Sequence, residues 1–315
     1  MDFDALRSVR SNPWVISALA AAAFWVLIQV FGQVGSGMSV LTVSMQFAAF
    51  YVIVGVAQML VISIGPGNID LSIPGTMVLS AFVSMAVMGG SDNNLVLGLL
   101  AGLGVGIPAG LFNIVLIQFL AIPPMIATLA SGFILQSVAA ASSSLFGAKP
   151  SPLIGEIMSW KLAGIPALTI FALIVTAVCA WALQSTRAGR SVLAIGQNPR
   201  AAFLAGYNVK LTSAVVYLLS AMMASIGGMA LAVFSGGAAL NMANDFILMS
   251  IAVVVLGGTS VAGGRAVPIG LWASAILLQN LVIFLNVIGA PNGIRHAATG
   301  LIILLVLALT GKPNR

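Results

Sequence analysis

Two acidic residues, Asp70 and Asp245, are the carboxylates of this 315-residue chain that stand next to its long apolar runs. Each lies at the end of a glycine-containing segment, GPGNID and GGAALNMAND, directly before a short apolar run. An ionisable group at membrane depth is a candidate proton or sodium site. Each carboxylate could instead cap the helix that follows it, by accepting backbone N–H groups and complementing the helix dipole. The residues alone leave both interpretations open.

Other patterns that carry chemistry are missing from the sequence. It has one cysteine, Cys179, which excludes an intrachain disulfide, and it has no phosphate-binding GxxxxGK[ST] loop. Its single histidine, His296, stands beside Arg295 next to an apolar run, where a polar interfacial role is expected rather than a catalytic one. We therefore predict no catalytic residue, no metal site and no cofactor bound by this chain.

The composition indicates the kind of element that must position these residues. Hydrophobic residues make up 60% of the chain and charged residues 6%, whereas a soluble domain has about a quarter charged residues. The apolar runs reach the roughly 20 residues that a helix needs to cross a bilayer, and they lack the alternation of barrel strands. We predict an all-α, polytopic membrane protein, one transmembrane domain over residues 1–315, with the lipid bilayer as its surroundings.

The hydrophobic runs predict about ten transmembrane helices. The third and eighth are short and adjoin glycine-rich segments at 65–75 and 257–264, as expected of broken or partial helices that line a cavity. The start, MDFDALRSVRSNPW, is similar to a signal peptide, but nine further runs follow it, which favours an uncleaved first span. The predicted spans are 14–32, 39–62, 74–89, 95–119, 123–144, 165–185, 212–235, 246–258, 267–288 and 297–311.

The cations predict the orientation. With both termini cytoplasmic, nine of the twelve Lys and Arg residues fall inside and three fall outside, and this follows the positive-inside rule. The net charge of +6 is thus explained by topology, and no nucleic-acid partner is expected. The segment 145–164, with Trp160, is expected at the outer interface. The two acid-bearing breaks then face opposite sides, as inverted repeats require, although their sequence similarity is weak.

The fourth span contains four glycines at intervals of four residues. This spacing puts them on one helix face, where the lack of side chains lets another helix approach closely. The alternative is chance, since the chain has 34 glycines. We predict a helix-packing face at Gly98, Gly102, Gly106 and Gly110.

The longest cationic segment lies at 187–210, RAGRSVLAIGQNPRAAFLAGYNVK, and contains no acid. We expect residues 186–191 to end the sixth span and Asn198-Pro199 to form a turn, with Pro199 as the first residue of a short helix. Gly206 should end that helix. A short helix lying across the membrane face would suit docking of a cytoplasmic partner, and a solvated loop that follows the positive-inside rule would have the same composition.

Four motifs in order carry a resemblance to ribose-type ABC sugar permeases. GRSVLAIGQNPRAAFLAGYNVK resembles that family's cytoplasmic loop, and NIDLSIPGTMVLSAF resembles its GGIDLSVG block through Ile69, Asp70, Leu71 and Ser72. IPPMIATLA, from residue 122, is similar to its IPPFIATLG. IAVVVLGGTSVAGGRAVPIG, from residue 251, resembles its IAAVVIGGTSLFGGRG. Together the motifs extend from about residue 45 to the C-terminus.

The resemblance implies an inner-membrane permease subunit that moves a monosaccharide or similar small polar solute by ATP-driven alternating access. It implies three partners: a second permease, identical or different; a periplasmic sugar-binding protein; and ATP-binding subunits that use ATP and Mg. By position, the loop 187–210 would be the coupling helix region. The residues expected to couple to the ATPase are Arg190, Gly196, Asn198, Pro199, Arg200, Ala201, Ala202, Leu204 and Gly206.

Possible gate or pathway residues are Asp70, Leu71, Ser72, Asn244 and Asp245. The sequence departs from the family pattern around the first three, where Pro66-Gly67-Asn68 and Ile73-Pro74-Gly75 replace GG and VG, and this departure leaves open whether the solute is ribose. In the loop, Ala205 and Tyr207 replace Ser and Ile. The alternative function is an ion-coupled secondary transporter that uses Asp70 or Asp245.

Overall fold

The structure is a computed structural model that describes residues 13–32, 37–143 and 149–291, together with residues 293–295, 297, 298, 300, 301 and 304. Within these residues the elements are almost all helical. The predicted tenth span is largely outside the described residues, as are His296, Arg7, Arg10, Lys312, Arg315 and most of the signal-like N-terminus.

Seven of the described helices are long and apolar enough to cross a membrane, and two apolar helices, α3 and α11, are shorter, with 16 and 11 residues. An all-α polytopic membrane protein is thus confirmed. The helices in chain order are α1 (Pro13–Phe31), α2 (Gly37–Ser63), α3 (Ile73–Met88), α4 (Leu95–Ile114), α5 (Pro124–Ser143), α6 (Pro152–Ser159), α7 (Ala167–Ser185), α8 (Arg187–Gln197), α9 (Pro199–Leu204), α10 (Val209–Phe234), α11 (Phe246–Leu256) and α12 (Pro268–Val287).

Helix α2 is the centre of the bundle. It packs against α7, α10, α11 and α12, and sixteen of its 27 residues are buried. A helix that is apolar on all sides can be buried on all sides, which is what the part of α2 from Ala48 to Ser63 shows. Around it, α1 packs on α12, and α3 packs on α4, α5 and α10.

Two elements lie outside the bundle pattern. A π-helical turn, Val115–Phe119, extends α4. Between α5 and α7, α6 is followed by a two-stranded antiparallel hairpin, β1 (Lys161–Leu162) and β2 (Ile165–Pro166). Leu153, Ile157 and Trp160 in this region are exposed, and the location of this region at the outer interface stays a prediction.

Candidate coupling segment and pathway loop

The segment 187–210 is built from two helices with side-chain caps. The Thr186 hydroxyl accepts the Gly189 N–H at 2.9 Å and begins α8. The Asn198 side chain accepts the N–H groups of Arg200 and Ala201, each at 3.0 Å, and begins α9. Gly206, with a φ of 85°, lies just beyond the end of α9, in a conformation that favours glycine. These local signals agree with the predicted short helix at Pro199.

Helix α8 was not predicted. We expected residues 186–191 to end the sixth span, but α7 ends at Ser185 and a separate eleven-residue helix begins at Arg187. The signal was present: Gly189, Val192, Ile195 and Gly196 are all buried and recur at helical spacing. The opposite face is charged, and Arg190 donates to the carbonyls of Gln184 and Ser185 at the end of α7.

The exposed surface of α9 includes two large apolar side chains. Phe203 is 67% exposed and Leu204 79% exposed, whereas Ala202 is only 4% exposed. An aspartate at Ala202 would therefore be buried in the chain itself and would disturb its packing. Although Ala202 is among the residues expected to couple to the ATPase, a change there would not test docking by itself. Docking on α9 is tested at Phe203 and Leu204.

Helix α8 meets two distant loops through backbone atoms, at a contact that we call the glycine junction: Ser63, Gly65, Gly196, Gly263 and Gly264. A Cβ atom on Gly196 would overlap the Ser63 carbonyl oxygen and the Gly264 amide nitrogen. The Gly264 N–H donates to the Ser63 carbonyl at 2.9 Å, and Gln197 Nε2 donates to the Gly264 carbonyl at 3.3 Å. Two of the four family-like motifs, at 189–210 and 251–270, therefore meet there with the start of the glycine-rich segment 65–75.

The loop that leaves this junction, residues 64–72, carries Asp70, which is 2% exposed. Its Oδ1 accepts from the Ser72 N–H at 2.9 Å and the Ser72 hydroxyl at 2.6 Å, and its Oδ2 accepts from the Ser220 hydroxyl of α10 at 2.7 Å. Burial raises the pKa of the Asp70 carboxyl, and these hydrogen bonds oppose that rise. The sequence predicted that Asp70 caps α3 by accepting N–H groups of its first turn. Its carboxylate instead accepts the N–H of Ser72, which lies just before the first residue of α3.

Neighbouring side chains fix the rest of this loop. The Leu71 N–H donates to Thr128 Oγ1 of α5 at 3.0 Å, and the Asn113 side chain of α4 donates to the Ser72 hydroxyl at 2.8 Å. The Tyr217 hydroxyl of α10 donates to Asn68 at 3.0 Å. The loop is therefore tied to three helices, and the sequence had indicated none of these partners.

Asn244 and Asp245 are placed differently. Both are exposed, and Asp245 precedes α11 without a side-chain cap hydrogen bond, so the expected cap is wrong there. Asp70 and Asp245, which share a similar sequence context, therefore lie in different environments and do not form one site.

The four glycines of α4 are all buried. Gly98 faces α3, where a Cβ atom would overlap the Met88 side chain, and Gly102 faces both α3 and α10, where a Cβ atom would overlap Met229 and crowd Ser84. Gly106 and Gly110 face α10, where a Cβ atom would come within 2.9 Å of the Met222 Cα or within 2.8 Å of the Leu218 Cα. By contrast, Gly104 has no atom within 4 Å of such a Cβ.

Comparison with known proteins gives the family. The family model described as "branched-chain amino acid transport system / permease component" matches residues 40–307. The chain belongs to this permease family. The resemblance to ABC importer permeases is thereby confirmed, and the chain is a multi-pass permease component of the bacterial inner membrane.

Curated relatives of this permease cover nearly its whole length. It is 28% identical over 293 residues to the autoinducer 2 import system permease protein LsrD of Photorhabdus temperata, which is 90% of this chain and 87% of that protein. It is also 28% identical over 299 residues to LsrD of Escherichia coli strain K12, 92% of this chain and 90% of that protein. LsrD of Shigella flexneri matches to the same extent. No solved structure matches this permease.

Proposed function

We propose that this permease imports a small, polar, sugar-like solute, delivered by a periplasmic binding protein and driven by ATP that a separate subunit hydrolyses. Family membership supports import through an ABC system. The relatives named as autoinducer 2 importers support a small, sugar-derived solute. In this proposal two permease subunits, identical or different, form the pathway, and ATP and Mg belong to the ATPase.

Two features of one segment support the coupling role: exposed apolar side chains on α9, and the glycine junction that α8 forms with two other loops. Phe203 and Leu204 of α9 project from the surface, while Gly196, a few residues earlier, touches both neighbouring loops. Large apolar side chains that stay exposed on a short, capped helix mark a protein contact surface. We therefore infer that α9 docks on the ATPase and that α8 passes its movement to the loops at 64–72 and 257–267.

The residues expected to gate or line the pathway remain part of this proposal. Asp70, Leu71 and Ser72 lie in a loop that shares the glycine junction with α8, which gives that loop a direct connection to the coupling segment. Asn244 and Asp245 are exposed and could face the solute or the binding protein. In this proposal both termini lie in the cytoplasm, and the segment 187–210 lies on the same side.

Docking is tested by Phe203→Asp combined with Leu204→Asp. Truncating or charging an apolar anchor at the centre of an interface typically costs about 2 kcal/mol or more, so co-purification of the cognate ATPase should fall roughly thirtyfold. The matched control is Lys210→Asp. Lys210 is exposed and belongs to the same segment, but it lies outside α9, and its replacement changes the local charge more than either single aspartate does. ATPase retention at the wild-type level in the double variant would refute the docking surface.

The solute is tested in proteoliposomes that contain the permease, its ATPase and the binding protein. Uptake of labelled autoinducer 2, ribose and leucine is compared, because the family description names branched-chain amino acids while the relatives import autoinducer 2. We expect ATP-dependent uptake of autoinducer 2 or ribose. Uptake of leucine alone would overturn the sugar-like solute and leave the docking result intact.

The ion-coupled alternative depends on Asp70 or Asp245. Asp70 has both carboxylate oxygens engaged by serine donors of its own chain, and Asp245 is exposed. Family membership favours ATP-driven import instead. Uptake that follows a proton or sodium gradient without ATP, and that is lost in Asp70→Asn, would restore the alternative.

A further inference from the structure

A cavity of about 670 Å³ opens between α7 and α10. This volume is within the roughly 300–1,000 Å³ that is typical of small-molecule sites. Val56 and Leu60 of α2 line it, and its walls are apolar side chains such as Val178 and Val215. On α7 its lining extends from Ile174 to Leu183, which is about 14 Å of helix. One leaflet of a bilayer contributes roughly 15 Å of hydrocarbon, so the groove has the length of a lipid chain in one leaflet.

The groove has a polar end. There the lining consists of the residues at the start of α8 and α10, including Thr186, Arg187, Tyr207 and Asn208. Arg187 is exposed, and the described lining contains one cation and no acid. A cation at the end of a long apolar groove complements an amphiphile that has a hydrocarbon tail and a negatively charged head.

We propose that this groove binds an anionic phospholipid, with one acyl chain between α7 and α10 and the phosphate at Arg187. The inference relies on the orientation in the proposed function, in which the 187–210 segment faces the cytoplasmic leaflet, where anionic headgroups attract basic residues near the surface. The lipid would contact Gly189 and Val192 of α8. It would thus stabilise the coupling segment from the membrane side, on the same buried face of α8 as the glycine junction and about two turns before it.

The proposal is tested on the full-length chain alone, so a failure of ATPase docking or of solute transport does not affect the result. The purified protein is exchanged into nanodiscs of phosphatidylethanolamine with or without phosphatidylglycerol, extracted gently and examined by native mass spectrometry for retained phosphatidylglycerol. Arg187→Gln should lower retention by about fivefold. Arg200→Gln is the matched control, since it removes the same charge from the same segment but does not line the groove.

A second pair of variants tests the apolar part. Val178→Trp fills the groove and should displace the lipid, whereas Val138→Trp, on the exposed face of α5 outside the groove, should not. Equal retention in all four variants would overturn the proposal. Displacement of phosphatidylglycerol by excess inorganic phosphate would assign the site to free phosphate. Loss of a permease pair in Val178→Trp would assign the groove to a second copy of the chain. Either result would also overturn the proposal.

Discussion

Asp70 and Asp245 each follow a glycine-containing break and precede a short helix, but Asp70 is 2% exposed and Asp245 lies on the surface. Asp70 accepts hydrogen bonds from Ser72 and from Ser220 of α10, whereas Asp245 makes no side-chain cap to α11. Similar local sequence therefore leads to two different uses of a carboxylate. The Asp70 carboxylate links its loop to the helix bundle by hydrogen bonds, and the Asp245 carboxylate is accessible to a ligand or partner.

The loops also differ in what they touch. The break at 64–72 shares the glycine junction with α8 and is held by helices α4, α5 and α10. In the break at 235–245, Gly236 has a φ of 76°, and a Cβ atom there would have no atom within 4 Å. We therefore expect changes near the first break to affect stability and coupling together, and changes in the second to affect solute transfer alone.

The largest expected effect comes from Gly196→Ala. The added methyl would overlap backbone atoms of Ser63 and Gly264, which cannot rotate away, so α8 must shift. Overpacking of this kind typically costs about 1–3 kcal/mol, and solute uptake should be lost while the ATPase still binds through α9. Unfolding in detergent and transport in proteoliposomes measure the two effects. Gly104→Ala, where a Cβ atom meets open space, is the control, and equal behaviour of the two variants would refute the junction.

An intermediate effect is expected for Asp70→Ala. It leaves the buried donors of Ser72 and Ser220 without an acceptor, and each unsatisfied buried group costs about 1–3 kcal/mol. The free energy of unfolding in detergent, followed by tryptophan fluorescence, should therefore fall by about 2 kcal/mol. Adding Ser220→Ala to this variant removes one of the donors that have lost their acceptor, so the free energy of unfolding should fall little further. A fully additive loss in the double variant would show that the two side chains do not interact.

The smallest effect on stability is expected for Asp245→Ala. An exposed residue without a hydrogen-bonded role usually changes the free energy of unfolding by within about 0.5 kcal/mol. Solute uptake should nevertheless fall if this loop meets the solute or the binding protein, and the KM for the loaded binding protein is the quantity to follow. A stability loss as large as that of Asp70→Ala would remove the distinction between the two breaks.

Local signals in the sequence were sufficient for much of the coupling segment. The Asn198-Pro199 pair and Gly206 determine where α9 begins and ends through side-chain capping and a left-handed turn, and both depend on neighbours only a few residues away. Helix α8 was missed because Arg187 and Arg190 made its start look like the polar end of a span. Its buried face could have been recognised from the spacing of Gly189, Val192 and Ile195.

Contacts between distant segments could not be predicted in this way. Gly196, Ser63 and Gly264 are separated by more than 60 residues in each step, and a glycine does not indicate which backbone will approach it. In the same way, nothing in GPGNID or MAND distinguishes a buried aspartate from an exposed one. Burial of Asp70 depends on where α10 places Ser220.

The glycine junction also has a mechanical consequence. A contact between side chains can absorb a small displacement by changing rotamers, but backbone atoms in direct contact have no such freedom. A push on Phe203 or Leu204 would therefore reach Ser63 and Gly264 as a displacement of nearly the same size, with little delay and little loss. In the proposed mechanism α8 would therefore act as a rigid connection, and the displacement that reaches the loop at 64–72 would be set by how far α8 itself tilts.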